Sequence, residues 1–329
     1  MFSFKSFKQK LFRISLDTFD ALALEVFQYQ YANNAIYRSF IEHIGINPIN
    51  VTMLTQIPFM PISFFKRHAI QTGSWKPEKI YESSGTTGTT TSRHLVRDNQ
   101  FYLELTERIF RLFYGSLDQY HFLFLLPSYL ERGTSSLITM ANHFVQRSDS
   151  EHSGFYLHNY DELINKIEFL KQSSSKKIFL WGVTYALLDV AEQYSPDLST
   201  VIVLETGGMK GRRKELTRGE LHEKLKKKFN VTEIHSEYGM TELMSQAYSK
   251  GDGKFFTPPW MKIILRDAHD PFDLQEINKS GGINVIDLGN VFSCAFIETQ
   301  DLGLSDQQGI MEIHGRFDNS DIRGCNLLV

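Results

Sequence analysis

The stretch "KKIFLWGVTYALLDVAEQYSPDLSTVIVLETGG", residues 176–208, decides the fold. "KKIFLWG" and "STVIVLETGG" are short runs of β-branched and aromatic residues with little polar interruption, the pattern of strands buried on both faces. Between them, "TYALLDVAEQY" spaces its apolar residues as a helix does. A buried strand, a helix and a second buried strand in succession imply an α/β fold with a largely parallel sheet. The second strand runs into a glycine turn, and ligands of such sheets bind beyond the carboxyl ends of the strands.

The same alternation extends outward. Upstream, "NQFYLELTERIFRLFYG" reads as a helix, "YHFLFLLP" as a buried strand, and "TSSLITMANHFVQ" and "DELINKIEFLKQ" as helices. Downstream, "TRGELHEKLKKKF" is a helix and "VTEIHSEYG" a strand. Residues 15–43 carry one or two amphipathic helices, and the proline-punctuated "INPINVTMLTQIPFMPISFFKRH" reads as a packing arm. Residues 254–314 change texture: "KIILRD", "GGINVIDL", "CAFIETQD" and "IMEIHGR" are short strands without helices, suggesting a small β subdomain or distorted barrel. The expected organisation is a large domain over residues 1–314, with 254–314 as its β-rich part, followed by a short segment, 315–329. The basic run at 210–229 reads as a solvated helix face.

A second stretch carries chemistry. In "IYESSGTTGTTTSRHLVRD", residues 80–98, the ten residues from Ser83 to Ser92 are all serine, threonine or glycine, set between strand-like flanks. Glycines let a backbone approach a ligand and present N–H groups, and hydroxyls add donors, so the loop can cradle phosphate. It lacks the Gly-Lys-Ser/Thr of a Walker loop and lies between strands instead of opening a helix. A flexible hydroxyl-rich linker is the competing reading.

At 329 residues, with 42% hydrophobic and 22% charged residues, the chain has an ordinary globular composition. A formal net charge of −3 argues against nucleic acid as a partner. No apolar run reaches the length of a spanning helix, and "MFSFKSFKQKLFRIS" does not read as a secretory signal. Two cysteines, Cys294 and Cys325, suit a cytoplasmic protein and exclude a disulfide framework. The 26 phenylalanines and 14 tyrosines imply a roomy apolar interior.

Four segments in order resemble the motifs of the adenylate-forming enzymes. "SSGTTG" (83–88) looks like their phosphate loop, "EYGMTE" (237–242) like their Tyr-Gly-x-Thr-Glu motif, "TQD" (299–301) like their Thr-Gly-Asp segment, and "GRFDNSDIRG" (315–324) like their hinge, one residue short. "IPFMPISFFK" (57–66), "PSYLERGTSSL" (127–137) and "RGCNL" (323–327) are similar to the acyl-protein synthetase branch and its phenylacetate-CoA ligase relatives. The resemblance implies the large N-terminal domain of that superfamily. It also implies ATP-dependent activation of a carboxylic, fatty acid to an acyl-adenylate, with Mg²⁺. Ser84, Gly85, Thr86, Thr87, Gly88 and Thr89 would hold the β- and γ-phosphates, Thr241 the α-phosphate and Glu242 the metal. Tyr238 and Gly239 would face adenine, Gly207 and Gly208 would border it, and Asp301, with Arg316, would take the ribose.

Relatives continue past the hinge into a lid domain that delivers a lysine. This sequence ends five residues after Gly324, so the lid is expected to be absent, the hinge truncated, and the lysine supplied otherwise or dispensed with. The resemblance makes Cys325 the acyl-carrying thiol, passing its acyl group to a reductase or acyltransferase protein. An acyl-CoA ligase or acyltransferase of the phenylacetate type, or a non-catalytic nucleotide-binding subunit, are the alternatives. Cys294, His143 and His235 read as structural residues, and His94 carries no assigned role.

Overall fold

The computed structural model describes residues 2–83, 90–127, 133–208, 216–268, 270–276 and 278–317. Its strands in chain order are β1 Met60–Pro61, β2 Lys79–Glu82, β3 Arg93–Val96, β4 Tyr120–Leu125, β5 Gly154–Tyr156, β6 Lys177–Val183 and β7 Val201–Thr206. They continue as β8 His235–Tyr238, β9 Ala247–Ser249, β10 Lys254–Phe256, β11 Met261–Arg266, β12 Gly281–Asp287, β13 Phe296–Ser305 and β14 Met311–Arg316. The helices are α1 Phe4–Leu11, α2 Leu16–Asn33, α3 Ala35–His43, α4 Phe64–Arg67, α5 Asn99–Tyr114, α6 Ser136–Arg147, α7 Tyr160–Ser173, α8 Thr184–Gln193 and α9 Arg218–Phe229.

One 12-stranded sheet runs β11-β12-β13-β14-β10-β9-β8-β7-β6-β4-β5, with β1 beside β13. From β5 through β4, β6 and β7 to β8 every pairing is parallel; from β8 to β11 every pairing is antiparallel. The expected α/β fold with its largely parallel core is present. The β-rich segment does not form a sheet of its own: its strand β10 pairs with β14 on one side and with β9 on the other, and so carries the segment into the central sheet. The proline-punctuated arm also enters it, since Met60 and Pro61 pair with Ile297 and Glu298. Strands β2 and β3 form a separate antiparallel pair, and the hydroxyl-rich stretch lies between them in the sequence.

Local chemistry fixes the helix ends. Asp98 accepts from the Phe101 N–H at 2.8 Å to open α5, and Gly115, at φ 88°, closes it in a conformation that costs other residues strain. Thr217 and Glu220 form a reciprocal capping box at the start of α9. Residues of β4, all buried, pack Phe122 against Phe110 of α5, with ring centroids 5.4 Å apart. Phe144 of α6 meets Trp181 of β6 on the same face, at 6.1 Å. The opposite face carries Glu205 and Ser236, which meet His222 of α9.

Gln30 ties the N-terminal helices to the sheet. It is fully buried; its Nε2 lies within 3.3 Å of the Asn290, Val291 and Ser293 carbonyls, and its Oε1 accepts from the Ala295 N–H at 2.9 Å. Gln30→Leu keeps the bulk but leaves those backbone groups unpaired in the interior. It is expected to cost about 3 kcal/mol of stability, read by urea denaturation. Among the described residues no helix is long and apolar enough to cross a membrane.

Candidate active site

The carboxyl ends of β7 and β8 meet the β13–β14 ladder, and the predicted residues gather there. Tyr238 ends β8, and its hydroxyl donates to Asp301 Oδ2 at 2.7 Å. Arg316 is the cross-strand partner of Asp301, and its Nε donates to Oδ1 at 3.2 Å. Asp301 is buried, its backbone N–H donates to Thr299 Oγ1 at 3.1 Å, and Thr299 in turn donates to the Ile283 carbonyl. Burial and the charge of Asp301 hold the Tyr238 phenol well above its usual range, so the tyrosine stays a donor. With one contact on each oxygen, the carboxylate keeps acceptor sites for two further donors.

The turn after β8 carries Thr241 and Glu242 and has little regular structure of its own. Its backbone is gripped by side chains from elsewhere. His94 Nδ1 donates to the Thr241 carbonyl at 2.8 Å, and Asn290 Nδ2 donates to the Glu242 carbonyl at 2.7 Å. Fully buried Asp287 accepts from the Met244 and Ser245 N–H groups at 2.8 and 2.9 Å and from the Ser245 hydroxyl at 2.8 Å. Burial pulls the His94 imidazole down to about 4, so it is neutral and its Nδ1 proton is committed to Thr241.

Glu242 is buried, and burial raises its carboxyl above the usual range against the Ser92 hydroxyl bond and the charges of Arg316 and Lys66. Ser92 closes the neck of the hydroxyl-rich loop. Its N–H donates to Ser83 Oγ at 2.9 Å while its carbonyl accepts from the Ser83 N–H at 3.1 Å. Ser92 therefore stands directly beside Glu242, with Ser83 hydrogen-bonded to Ser92. Ser84, Gly85, Thr86, Thr87, Gly88 and Thr89 lie outside the described residues, as does Cys325.

Gly207 follows β7 at φ 70°, the left-handed region, and its carbonyl accepts from the Thr184 hydroxyl at 3.1 Å. Gly208 beside it is exposed, and so is Gly239. A Cβ on Gly239 would lie 2.5 Å from Glu237 Oε1, so a side chain there would displace that carboxyl. Glu237 itself accepts from the Thr206 hydroxyl, its neighbour on β7. Burial and the charge of Glu205 push the Glu237 carboxyl up to about 7, although Thr206 acts in the other direction. Burial would raise Glu205 as well, yet His222 and Arg218 at 3.6 and 3.5 Å outweigh it and hold that carboxyl low.

The structure thus brings Tyr238, Thr241, Glu242, Asp301 and Arg316 to one place, with Gly207, Gly208 and Gly239 on adjoining turns. Sequence reasoning missed Ser92, His94, Lys66, Asp287, Asn290 and Glu237. Asp287 left one signal, a lone carboxylate in the apolar run "GGINVIDL". Cys294 is buried with its thiol pushed up to about 12 by desolvation, an inert core residue. His143 meets Glu107 at 3.0 Å and His235 meets Tyr114 at 3.1 Å, both away from the motif turn.

The fold has counterparts among solved structures. ATP-bound MatB from Rhodopseudomonas palustris superposes with a TM-score of 0.53 at 18% identity, over 72% of this chain and 47% of that one. A 2-hydroxyisobutyryl-CoA ligase in complex with 2-HIB-AMP and CoA superposes with a TM-score of 0.66 at 13% identity, over 97% of this chain and 70% of that one. The fold is that of the adenylate-forming enzymes. This chain spans about half the length of MatB. In sequence it is similar to the long-chain-fatty-acid–luciferin-component ligase of Vibrio harveyi, 24% identical over 92% of this chain and 84% of that protein. The similarity read from the motifs therefore extends along nearly the whole chain. No family model matches it.

Glu237 supplies a pH test. Its folded-state value near 7 exceeds the ordinary carboxyl value of 4.5, so the folded state binds the proton more tightly. The group's contribution is fully present below about pH 4.5 and is lost as pH rises through 7. Glu205, His235, Tyr102, Tyr114 and Tyr248 are its titratable neighbours, and none of them is expected to change charge across that window. Glu237→Gln is expected to gain about 2 kcal/mol over the parent at pH 8 and nearly nothing at pH 4.5, by urea denaturation at both values.

Proposed function

We propose that this protein activates a carboxylic acid with ATP and carries the acyl group onto its own cysteine, as an acyl-protein synthetase of the cytoplasm. The observation that supports this reading most is the convergence of Tyr238, Asp301 and Arg316 with the Thr241–Glu242 turn and the Ser83–Ser92 neck. In the first step a carboxylate oxygen attacks the α-phosphorus of ATP. The bond from that phosphorus to the bridging oxygen breaks, and pyrophosphate leaves with the electron pair. In the second, the Cys325 thiolate attacks the acyl carbonyl carbon, the bond to the phosphate oxygen breaks, and AMP leaves.

Each role has a physical reason. Asp301, already aligned by Tyr238 and Arg316, has the free acceptor sites that two ribose hydroxyls need. The flat ring of Tyr238, with Gly239 and the Gly207–Gly208 turn, would border a planar base. Ser84 to Thr89 would bind the terminal phosphates through backbone and hydroxyl donors, and Thr241 the α-phosphate. Glu242 fits Mg²⁺: its carboxylate is destabilised by burial, and Mg²⁺ accepts one protein carboxylate together with phosphate oxygens and water. When bound, the metal neutralises charge on the phosphates. A reductase or acyltransferase protein is the proposed recipient of the acyl group.

ATP–pyrophosphate exchange across short, aromatic and long-chain acids tests the first step. Exchange dependent on one class of acid is expected, and silence with every acid would sink the reading. Asp301→Ala is expected to raise the KM for ATP at least about tenfold with a smaller loss in kcat. Glu242→Gln is expected to raise the Mg²⁺ concentration needed for half-maximal exchange. Cys325→Ser is expected to abolish labelling by radioactive acid with ATP while acyl-AMP still forms.

A further inference from the structure

Alternation along β8 sends Tyr238 to the Asp301 side and Glu237 to the other side of the sheet. On that second face, Thr206 of β7 pairs with Glu237 of β8 and Glu237 with Tyr248 of β9, while Trp181 of β6 lies on the same face opposite Leu204, two residues before Thr206. Three polar atoms here are buried without a hydrogen-bonding partner among the described residues: Trp181 Nε1, Tyr248 Oη and Gln246 Oε1. The Trp181 and Tyr248 rings lie edge to face with centroids 5.9 Å apart. Gly239 joins the group to the motif turn: a Cβ there would lie 2.5 Å from Glu237 Oε1 and 3.3 Å from Gln246 Cγ, and the residue is exposed on its outer side.

Unpaired buried polar atoms are rare in folded proteins, because each forfeits its bonds to water. Three of them near a half-buried carboxyl, in an otherwise aromatic interior, form a set with complementary capacities. Trp181 can only donate, Gln246 Oε1 can only accept, and the Tyr248 hydroxyl does either. A hydroxyl group answers that set, since its one oxygen accepts and donates. A plain alkyl chain would leave all three unsatisfied.

Resting on the proposed adenylation activity, we propose that Trp181, Gln246, Tyr248 and Glu237 recognise a hydroxyl on the chain of the acid, so that the preferred substrate is a hydroxy acid and not its unsubstituted parent. The nucleotide and the acid are thereby read on opposite sides of one strand, Tyr238 serving the first and Glu237 the second. A site built to hydrogen-bond a substrate hydroxyl discriminates strongly against the analogue lacking it, whereas an apolar pocket does not.

The test uses the full chain in pyrophosphate exchange with unbranched acids of graded length and their monohydroxylated counterparts at successive positions. For at least one position, kcat/KM for the hydroxy acid is expected to exceed that of its parent at least about tenfold. Gln246→Leu and Tyr248→Phe are each expected to bring that ratio within about threefold. Equal or better use of the parent acids at every position, or a ratio untouched by both variants, overturns the proposal while leaving adenylation standing. Exchange with no acid at all overturns the adenylation reading, and the melting temperature of Tyr248→Phe without ligand then decides the present one. An unpartnered hydroxyl predicts a value equal to or above the parent's. A fall of more than about 2 °C shows that the hydroxyl is already satisfied in the resting protein, which overturns the recognition site.

Discussion

The site depends on how an irregular turn is kept rigid. Residues 239–246 contribute no strand or helix, so their backbone groups find few partners within the turn. Partners come from two distant segments: His94 after the hydroxyl-rich loop, and Asp287 with Asn290 at and just beyond the end of β12, where Gln30 of α2 braces the chain. Asp287 is the centre of this arrangement. An ionised carboxylate in a dry interior is costly unless hydrogen-bonded, and here it takes two N–H groups and a hydroxyl from the turn and a third N–H from Gly289. Burial tends to neutralise Asp287 while those donors favour its charge. The same bonds that stabilise the buried charge hold Thr241 and Glu242 in place.

The two halves of the sheet play different parts. The parallel half, β5 to β8, supplies glycine turns and the motif strand at its carboxyl ends. The antiparallel half brings Asp301 and Arg316 to those ends from the β13–β14 ladder. The Tyr238–Asp301 bond spans the junction, so the site exists only when both halves are assembled. Arg218 reinforces that junction: from α9 it reaches Glu205 at the end of β7 and the Ile313 carbonyl of β14.

Periodicity made most elements legible, because runs such as "YHFLFLLP" and "KKIFLWG" are buried on both faces and the intervening helices are strongly patterned. The joining of the β-rich segment to the main sheet was not legible. It rests on β10 pairing with β9 on one side and with β14 on the other, and side-chain pattern does not say which strands become neighbours. Within the site, Tyr238, Asp301 and Arg316 were legible through motifs. His94 and Asn290 were not, since they touch the motif only through its backbone carbonyls, which any sequence presents.

Register connects these observations. A shift of β8 by one residue would exchange Tyr238 and Glu237 between the faces of the sheet, placing a carboxyl against Asp301 and a phenol against Thr206. Two bonds oppose that slip from opposite sides: the Tyr238 hydroxyl on Asp301 and the Thr206 hydroxyl on Glu237. Each satisfies a polar group that would otherwise be buried alone, so the slipped arrangement would lose both at once and set two carboxyls side by side. Gly239 completes the constraint, because any larger residue at that point would displace the Glu237 side chain. The dipeptide Glu237–Tyr238 is thus fixed by what lies on each side of it, and that is why neighbouring residues can serve unrelated chemistry.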